Sequence, residues 1–127
     1  MLPAMIRKFH EAKENNHADV LLWGTGTPKR EFLHVDDLAN AVVFALENKM
    51  EESLYNVGSG EEITIKGLAE LIQEITGHKG NIIWDKSKPD GTPRKLMDSG
   101  LLIKKGWSSE IELKFGIINT YDLLNIK

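Results

Sequence analysis

Met5, Phe9 and Ala12 recur at helical spacing and predict an amphipathic helix from about Pro3 to Asn15, with Pro3 suited to its first turn. Val20–Trp23 then reads as a strand, and Phe32–Val35 as a short extended piece. Leu38–Leu46 is almost wholly apolar and predicts a helix buried on most sides, with Asp36 and Asp37 at its first turn favoured as caps and by the helix dipole. Leu54–Val57 reads as a strand ending in Gly58-Ser59-Gly60. Thr64 caps a helix over Ile65–Thr76, whose stripe is Leu68, Leu71, Ile72 and Ile75 and whose stop is Gly77. A strand over Asn81–Asp85 and two helical stretches, around Leu101–Lys105 and Leu113–Leu124, complete the pattern. Short strands alternating with helices, undivided by a repeat or linker, predict one α/β unit over residues 1–127 with at least some parallel pairing.

Composition narrows the class. The chain has 127 residues, 41% hydrophobic and 28% charged, enough for one modest core and too apolar for default disorder. A net charge of −3 argues against general attraction to nucleic acid or anionic membrane, so recognition of an anion must come from placed cations. The absence of cysteine removes disulfides, thiolate metal sites and a cysteine nucleophile. No apolar run approaches the ~18 residues of a membrane span, and the expectation is a soluble cytoplasmic protein. Helical periodicity that begins almost at Met1 suggests a chain cut from something longer.

Two loops stand out. Ser87-Lys88-Pro89-Asp90-Gly91-Thr92-Pro93-Arg94-Lys95 follows an apolar run and sets three cations and a carboxylate around two prolines and a glycine. Trp23-Gly24-Thr25-Gly26-Thr27-Pro28-Lys29-Arg30-Glu31-Phe32 has the same character. Proline fixes φ and glycine frees it, so both are shaped loops. Either alone reads first as a solvated surface turn; together they suggest one anionic ligand held from two sides. Trp23 suits stacking on a nucleobase or a place in the core, whereas Trp84 and Trp107 read as core. Lys8, beside Arg7, suits a ligand or a solvated helix face.

Other chemistry finds little support. Gly24-x-Gly26 is followed by Pro28, Lys29 and Arg30 where a phosphate-binding helix should begin, and Gly58-x-Gly60 by two glutamates, so both read as tight turns. Tyr55 and Tyr121 are followed four residues on by Ser59 and Asn125, so neither makes the Tyr-x-x-x-Lys pair of a reductase. His10, His17, His34 and His78 lack metal-ligand spacing, and His34 reads as a structural residue bonded to nearby backbone. No catalytic, cofactor-binding or metal-binding residue is assigned.

The run Leu2-Pro3-Ala4…Arg7-Lys8-Phe9-His10-Glu11-Ala12, the segment Trp23-Gly24-Thr25-Gly26-Thr27-Pro28…Arg30-Glu31-Phe32-Leu33-His34-Val35-Asp36-Asp37, Asn56-Val57-Gly58-Ser59-Gly60 and the Ser87–Lys95 loop closely resemble the C-terminal part of the GDP-L-fucose synthase branch of the extended short-chain dehydrogenase/reductases. The motifs run in the family's order along the whole chain. The Arg-Glu-Phe-x-His-Val-Asp-Asp piece alone indicates only the wider group; the Lys-Pro-Asp-Gly-Thr-Pro-Arg-Lys loop narrows it.

The resemblance implies a small C-terminal substrate-binding lobe lacking the Rossmann domain, part of an NADPH-dependent epimerase-reductase that converts GDP-4-keto-6-deoxy-D-mannose to GDP-L-fucose. It implies substrate-binding roles for Lys8, Trp23, Arg30, Asp90 and Lys95. The NADP(H) loop, the Ser and Tyr-x-x-x-Lys set and the epimerisation histidine would all lie upstream of Leu2-Pro3-Ala4. On its own the chain would then be inactive, binding no cofactor. It would be either a non-catalytic nucleotide-sugar-binding module or a truncated product. Its implied partners are a GDP-sugar and the parent's Rossmann domain, with no nucleic acid or membrane. Apolar surface uncovered near Met1, Leu2 and Met5 would promote self-association.

Overall fold

Two small sheets are packed among helices in a computed structural model that describes residues 1–125, with side chains through Leu124. Helix α1 spans Leu2–Glu14, with Pro3 in its first turn, and leads into strand β1, Asp19–Trp23. Strand β2, Lys29–Glu31, precedes α2, Val35–Glu47. Strand β3, Glu62–Thr64, runs directly into α3, Ile65–Thr76. Strands β4, Asn81–Asp85, and β5, Arg94–Lys95, are followed by α4, Gly100–Lys104, and α5, Leu113–Asn125.

The mixed α/β architecture and the parallel pairing follow the sequence pattern. β1 and β4 pair in parallel from Asp19↔Asn81 to Trp23↔Asp85. The second sheet has the order β3-β2-β5, with β2 antiparallel to β3 and parallel to β5. Its strands are two or three residues long and too polar to be legible from periodicity.

The main core lies where α1, α3 and α5 meet β1. Phe9, Leu68 and Ile72 are completely buried there, with Met5, Ile6, Val20, Leu22, Ile117 and Tyr121 around them. Each side chain of that size contributes about 1.5–3 kcal/mol on leaving water. Thr64 caps α3 by accepting from the Gly67 N–H at 3.0 Å, and Gly77 ends it in the left-handed conformation. Trp84 packs partly buried on this core, and Trp107 is buried in a smaller cluster with Ala41 and Leu102.

Three expectations fail. Leu54–Val57 forms no strand: among the described residues no strand pairs with it, and the Asn56 side-chain amide donates to the Asp98 carbonyl. α2 is not buried on most sides. Only Asp37 and Ala41 are buried, while Val35 is 70% and Leu46 82% exposed, because the Ala41–Leu102–Trp107 cluster covers one side only. Met5 is core rather than uncovered surface, since it points from α1 toward the main cluster. Met1 is exposed as expected, but the larger apolar face belongs to α2, where Leu38, Val42 and Val43 are exposed too.

The cap of α2 also differs from the sequence reading. His34 holds the N-cap position, its Nδ1 accepting from the Asp36 N–H at 3.0 Å, so it is bonded to nearby backbone. Asp37 is buried and accepts from the Glu110 and Ile111 N–H groups at 3.1 and 3.0 Å, tying the start of α5's approach to α2.

Candidate functional site

The two cationic loops leave the β1–β4 pair side by side. Parallel strands in register end at one edge, so the chain after Trp23 and the chain after Asp85 emerge together. Backbone bonds keep them together: the Gly24 N–H donates to the Asp85 carbonyl, and the Lys29 N–H donates to the Pro93 carbonyl, both at 2.9 Å. Between those anchors the Thr25 N–H donates to Asp90 Oδ1 at 2.6 Å and the Thr25 hydroxyl to Oδ2 at 2.8 Å. Thr25 amide donation, then its hydroxyl, holds the Asp90 carboxyl below the usual carboxylate range.

A cleft of about 260 Å³ opens beside this junction, lined in part by Lys8, Leu22, Trp23, Trp84, Pro89 and Asp90. It brings together three of the five residues singled out in the sequence: Lys8 from α1, Trp23 from the end of β1, and Asp90 from the second loop. Trp23 is 64% exposed, which removes it from the core and leaves a ring face for a ligand. Lys88 Nζ stands 5.3 Å from that ring's centroid, within cation–π range. Lys8 Nζ donates to the Leu21 carbonyl at 3.1 Å, which fixes the ammonium beside β1.

Arg30 and Lys95 do not line the cleft. They are register partners on β2 and β5, so their side chains leave the same face of the small sheet. Arg30 Nη1 donates to the Lys29 carbonyl at 2.7 Å, and Nη2 lies 3.9 Å from where a Cβ would stand on Gly91. The guanidinium thus sits against the loop that carries Asp90. The opposite face of that sheet is occupied by an internal pair, Arg94 with Glu62, at 2.5 and 3.0 Å. Their mutual hydrogen bond lowers the Glu62 pKa and raises that of Arg94.

The glycine pairs are not dinucleotide cradles. A Cβ on Gly24 would overlap the Asp90 carboxylate, and one on Gly26 would stand 2.9 Å from the Trp84 ring, so both glycines serve the junction of the loops. The Gly58-Ser59-Gly60 turn is filled by Glu31, whose Oε2 accepts from the Gly60 N–H at 2.6 Å. A carboxylate in that turn opposes a phosphate. Neither glycine turn therefore fits a dinucleotide phosphate. Among the described residues, no group of three His, Asp or Glu side chains is placed to hold a metal ion, and no helix is long and apolar enough to cross a membrane.

Sequence reasoning missed Thr25. Its signal was local, a hydroxyl residue between two glycines, but its partner lies 65 residues away.

Comparison with known proteins supplies the context for this cleft. The NAD dependent epimerase/dehydratase family matches residues 1–58. The probable GDP-L-fucose synthase 1 of Oryza sativa subsp. japonica is 57% identical over 121 residues, 95% of this chain and 37% of the relative. The chain resembles GDP-L-fucose synthase. The Escherichia coli (strain K12) GDP-L-fucose synthase is 47% identical over 130 residues, again 95% of this chain and 40% of the relative. The chain therefore spans well under half the length of the GDP-L-fucose synthases it matches, and corresponds to their C-terminal part. Among solved structures, a GDP-mannoheptose C4 reductase from Campylobacter jejuni with NADP bound has a TM-score of 0.85 at 34% identity, covering 98% of this chain and 44% of that one. The GDP-L-fucose synthetase of Naegleria fowleri shares the fold with a TM-score of 0.90 at 24% identity, over 99% of this chain and 39% of that one.

Proposed function

We propose that this chain is the GDP-sugar-binding part of an NADPH-dependent epimerase-reductase that converts GDP-4-keto-6-deoxy-D-mannose to GDP-L-fucose. The observation that carries the reading is the shared cleft: two cationic loops, far apart in sequence, bonded side by side around Trp23 and Asp90. Arg30 and Lys95 supply positive charge from one face of the small sheet, and the planar Arg30 fork suits two diphosphate oxygens. Trp23 offers its exposed face to the base, and Lys8 adds a cation to the lining of the cleft. Asp90, already anionic, suits sugar hydroxyls or guanine N–H donors and would repel a phosphate.

In this reading the chain is one substrate-binding unit without a Rossmann domain, and NADP(H) belongs to a separate segment of the parent enzyme. The uncovered apolar face of α2 supports such a partner, as does the strand-like Leu54–Val57 segment, which has no neighbouring strand among the described residues. The occupant proposed for that face is the remaining segment of the longer enzyme, which the relatives' greater length provides.

Calorimetric titration of the chain with GDP, and with ADP as control, tests the site. One GDP bound per chain with clear preference over ADP is the expected result; equal or absent binding of both at millimolar nucleotide overturns it. Supplied with NADPH and GDP-4-keto-6-deoxy-D-mannose, the chain alone should form no GDP-L-fucose. Product formation would refute the division of labour while leaving the GDP site intact.

A further inference from the structure

We propose that Thr25 is a positioning residue that latches the second cationic loop onto the first and so sets the shape of the cleft before any ligand enters. Its effect on ligand affinity rests on the GDP-sugar reading above; the latch itself does not.

Thr25 stands between Gly24 and Gly26, both with positive φ, at +89° and +78°. The reversal at each side turns its N–H and its hydroxyl outward toward one carboxylate, so that a single residue meets both oxygens of Asp90. The hydroxyl proton is directed by its neighbour. Thr25 Oγ1 accepts from the Thr27 N–H at 3.3 Å and lies 2.8 Å from the Thr27 hydroxyl, which leaves its own proton for Asp90. The first loop is itself anchored, because the Ile65 and Lys66 N–H groups at the start of α3 donate to the Pro28 and Gly26 carbonyls at 2.9 and 2.8 Å. Rigidity therefore passes from α3 through Gly26–Pro28 to Thr25, and from Thr25 to Asp90.

Apart from the Lys88 contact with the Trp23 ring, the second loop is otherwise tied to the first by backbone at its ends, at Asp85 and Pro93. Asp90 holds its middle. With one acceptor site on each oxygen already used, the carboxylate keeps its remaining lone pairs in a fixed direction beside Trp23 and Lys8. Ordering the loop before binding spares the ligand that entropic cost.

Hydrogen exchange of the whole chain without ligand, read over residues 86–93 and against β1 and β4 as internal references, tests the latch. Thr25→Val removes the hydroxyl at nearly constant volume, and Thr25→Ser keeps it. Valine should speed exchange over residues 86–93 about tenfold with β1 and β4 unchanged, and serine should stay within about twofold of the parent. GDP affinity should fall roughly three- to tenfold in Thr25→Val and recover in Thr25→Ser. Unchanged exchange in Thr25→Val, or a serine variant as fast as valine, overturns the proposal. Should Thr25→Val lose the fold, Asp90→Ala cuts the same latch from the loop side, and unchanged exchange there overturns it equally. Faster exchange in Thr25→Val with GDP bound by neither parent nor variant upholds the latch and refutes the GDP reading.

Discussion

Trp23 on β1 and Asp85 on β4 are partners on the last rung of the parallel pair. One register therefore aligns the ends of both strands and delivers two loops to one edge. The Gly24 N–H continues the alignment into the loops by donating to the Asp85 carbonyl.

Gly24 is the residue at which this alignment is most easily broken. At φ +89° a side chain is strained, and a Cβ would overlap the Asp90 carboxylate. Gly24→Ala should cost about 1–3 kcal/mol from backbone strain alone. Urea unfolding would read this as a lower midpoint at unchanged slope; a midpoint equal to the parent's would contradict the packing described.

Arg30 should carry much of the charge recognition. Removing its fork in Arg30→Ala is expected to weaken GDP binding about ten- to a hundredfold, the range for losing one or two charge-assisted hydrogen bonds. Arg30→Lys should recover only part, since an ammonium cannot span two oxygens. Calorimetry that finds Arg30→Ala equal to the parent would remove Arg30 from the site.

The loop junction should have a defined acid limit. Donation from Thr25 lowers the Asp90 pKa in the folded chain relative to the unfolded one. A lowered folded value stabilises the fold above the ordinary aspartate pKa of about 3.9, and that contribution disappears as pH falls through the folded value. Glu62, lowered by its hydrogen bond with Arg94, works in the same direction. Loop resonances followed by NMR should hold constant from neutrality to about pH 5 and shift only in stronger acid. A transition near pH 6 would contradict the assignment.

The exposed face of α2 should govern association of the isolated chain. Val42→Glu with Leu46→Glu replaces two exposed apolar side chains outside the core clusters. The pair should leave the thermal midpoint within a few degrees and abolish concentration-dependent association in sedimentation. Association unchanged in the double variant would place the sticky surface elsewhere.

Much of this was legible locally, and what was not depended on distant partners. The helix α3 could be read whole, because Thr64, the Leu68–Ile72 stripe and Gly77 are signals within one segment. The five site candidates came from the family resemblance, with the chemistry of the two loops in agreement, and the structure gathers Lys8, Trp23 and Asp90 in one cleft while setting Arg30 and Lys95 beside it. The Leu54–Val57 segment has the pattern of a strand, but a strand exists only with a neighbour to bond, and none lies among the described residues. α2 misled for a related reason: an apolar helix announces that something covers it without saying what. Thr25 was missed because its place between two glycines does not name the distant Asp90 that decides its role.

The uncovered α2 face has a thermodynamic consequence. A partner that binds the folded chain and not the unfolded one adds RT ln(1 + [partner]/Kd) to its stability, about 2.7 kcal/mol at a hundredfold excess over Kd. The midpoint of unfolding then ceases to be a constant of this sequence and becomes a function of how much partner surrounds it. Measured alone, the chain reports only the lower end of that scale.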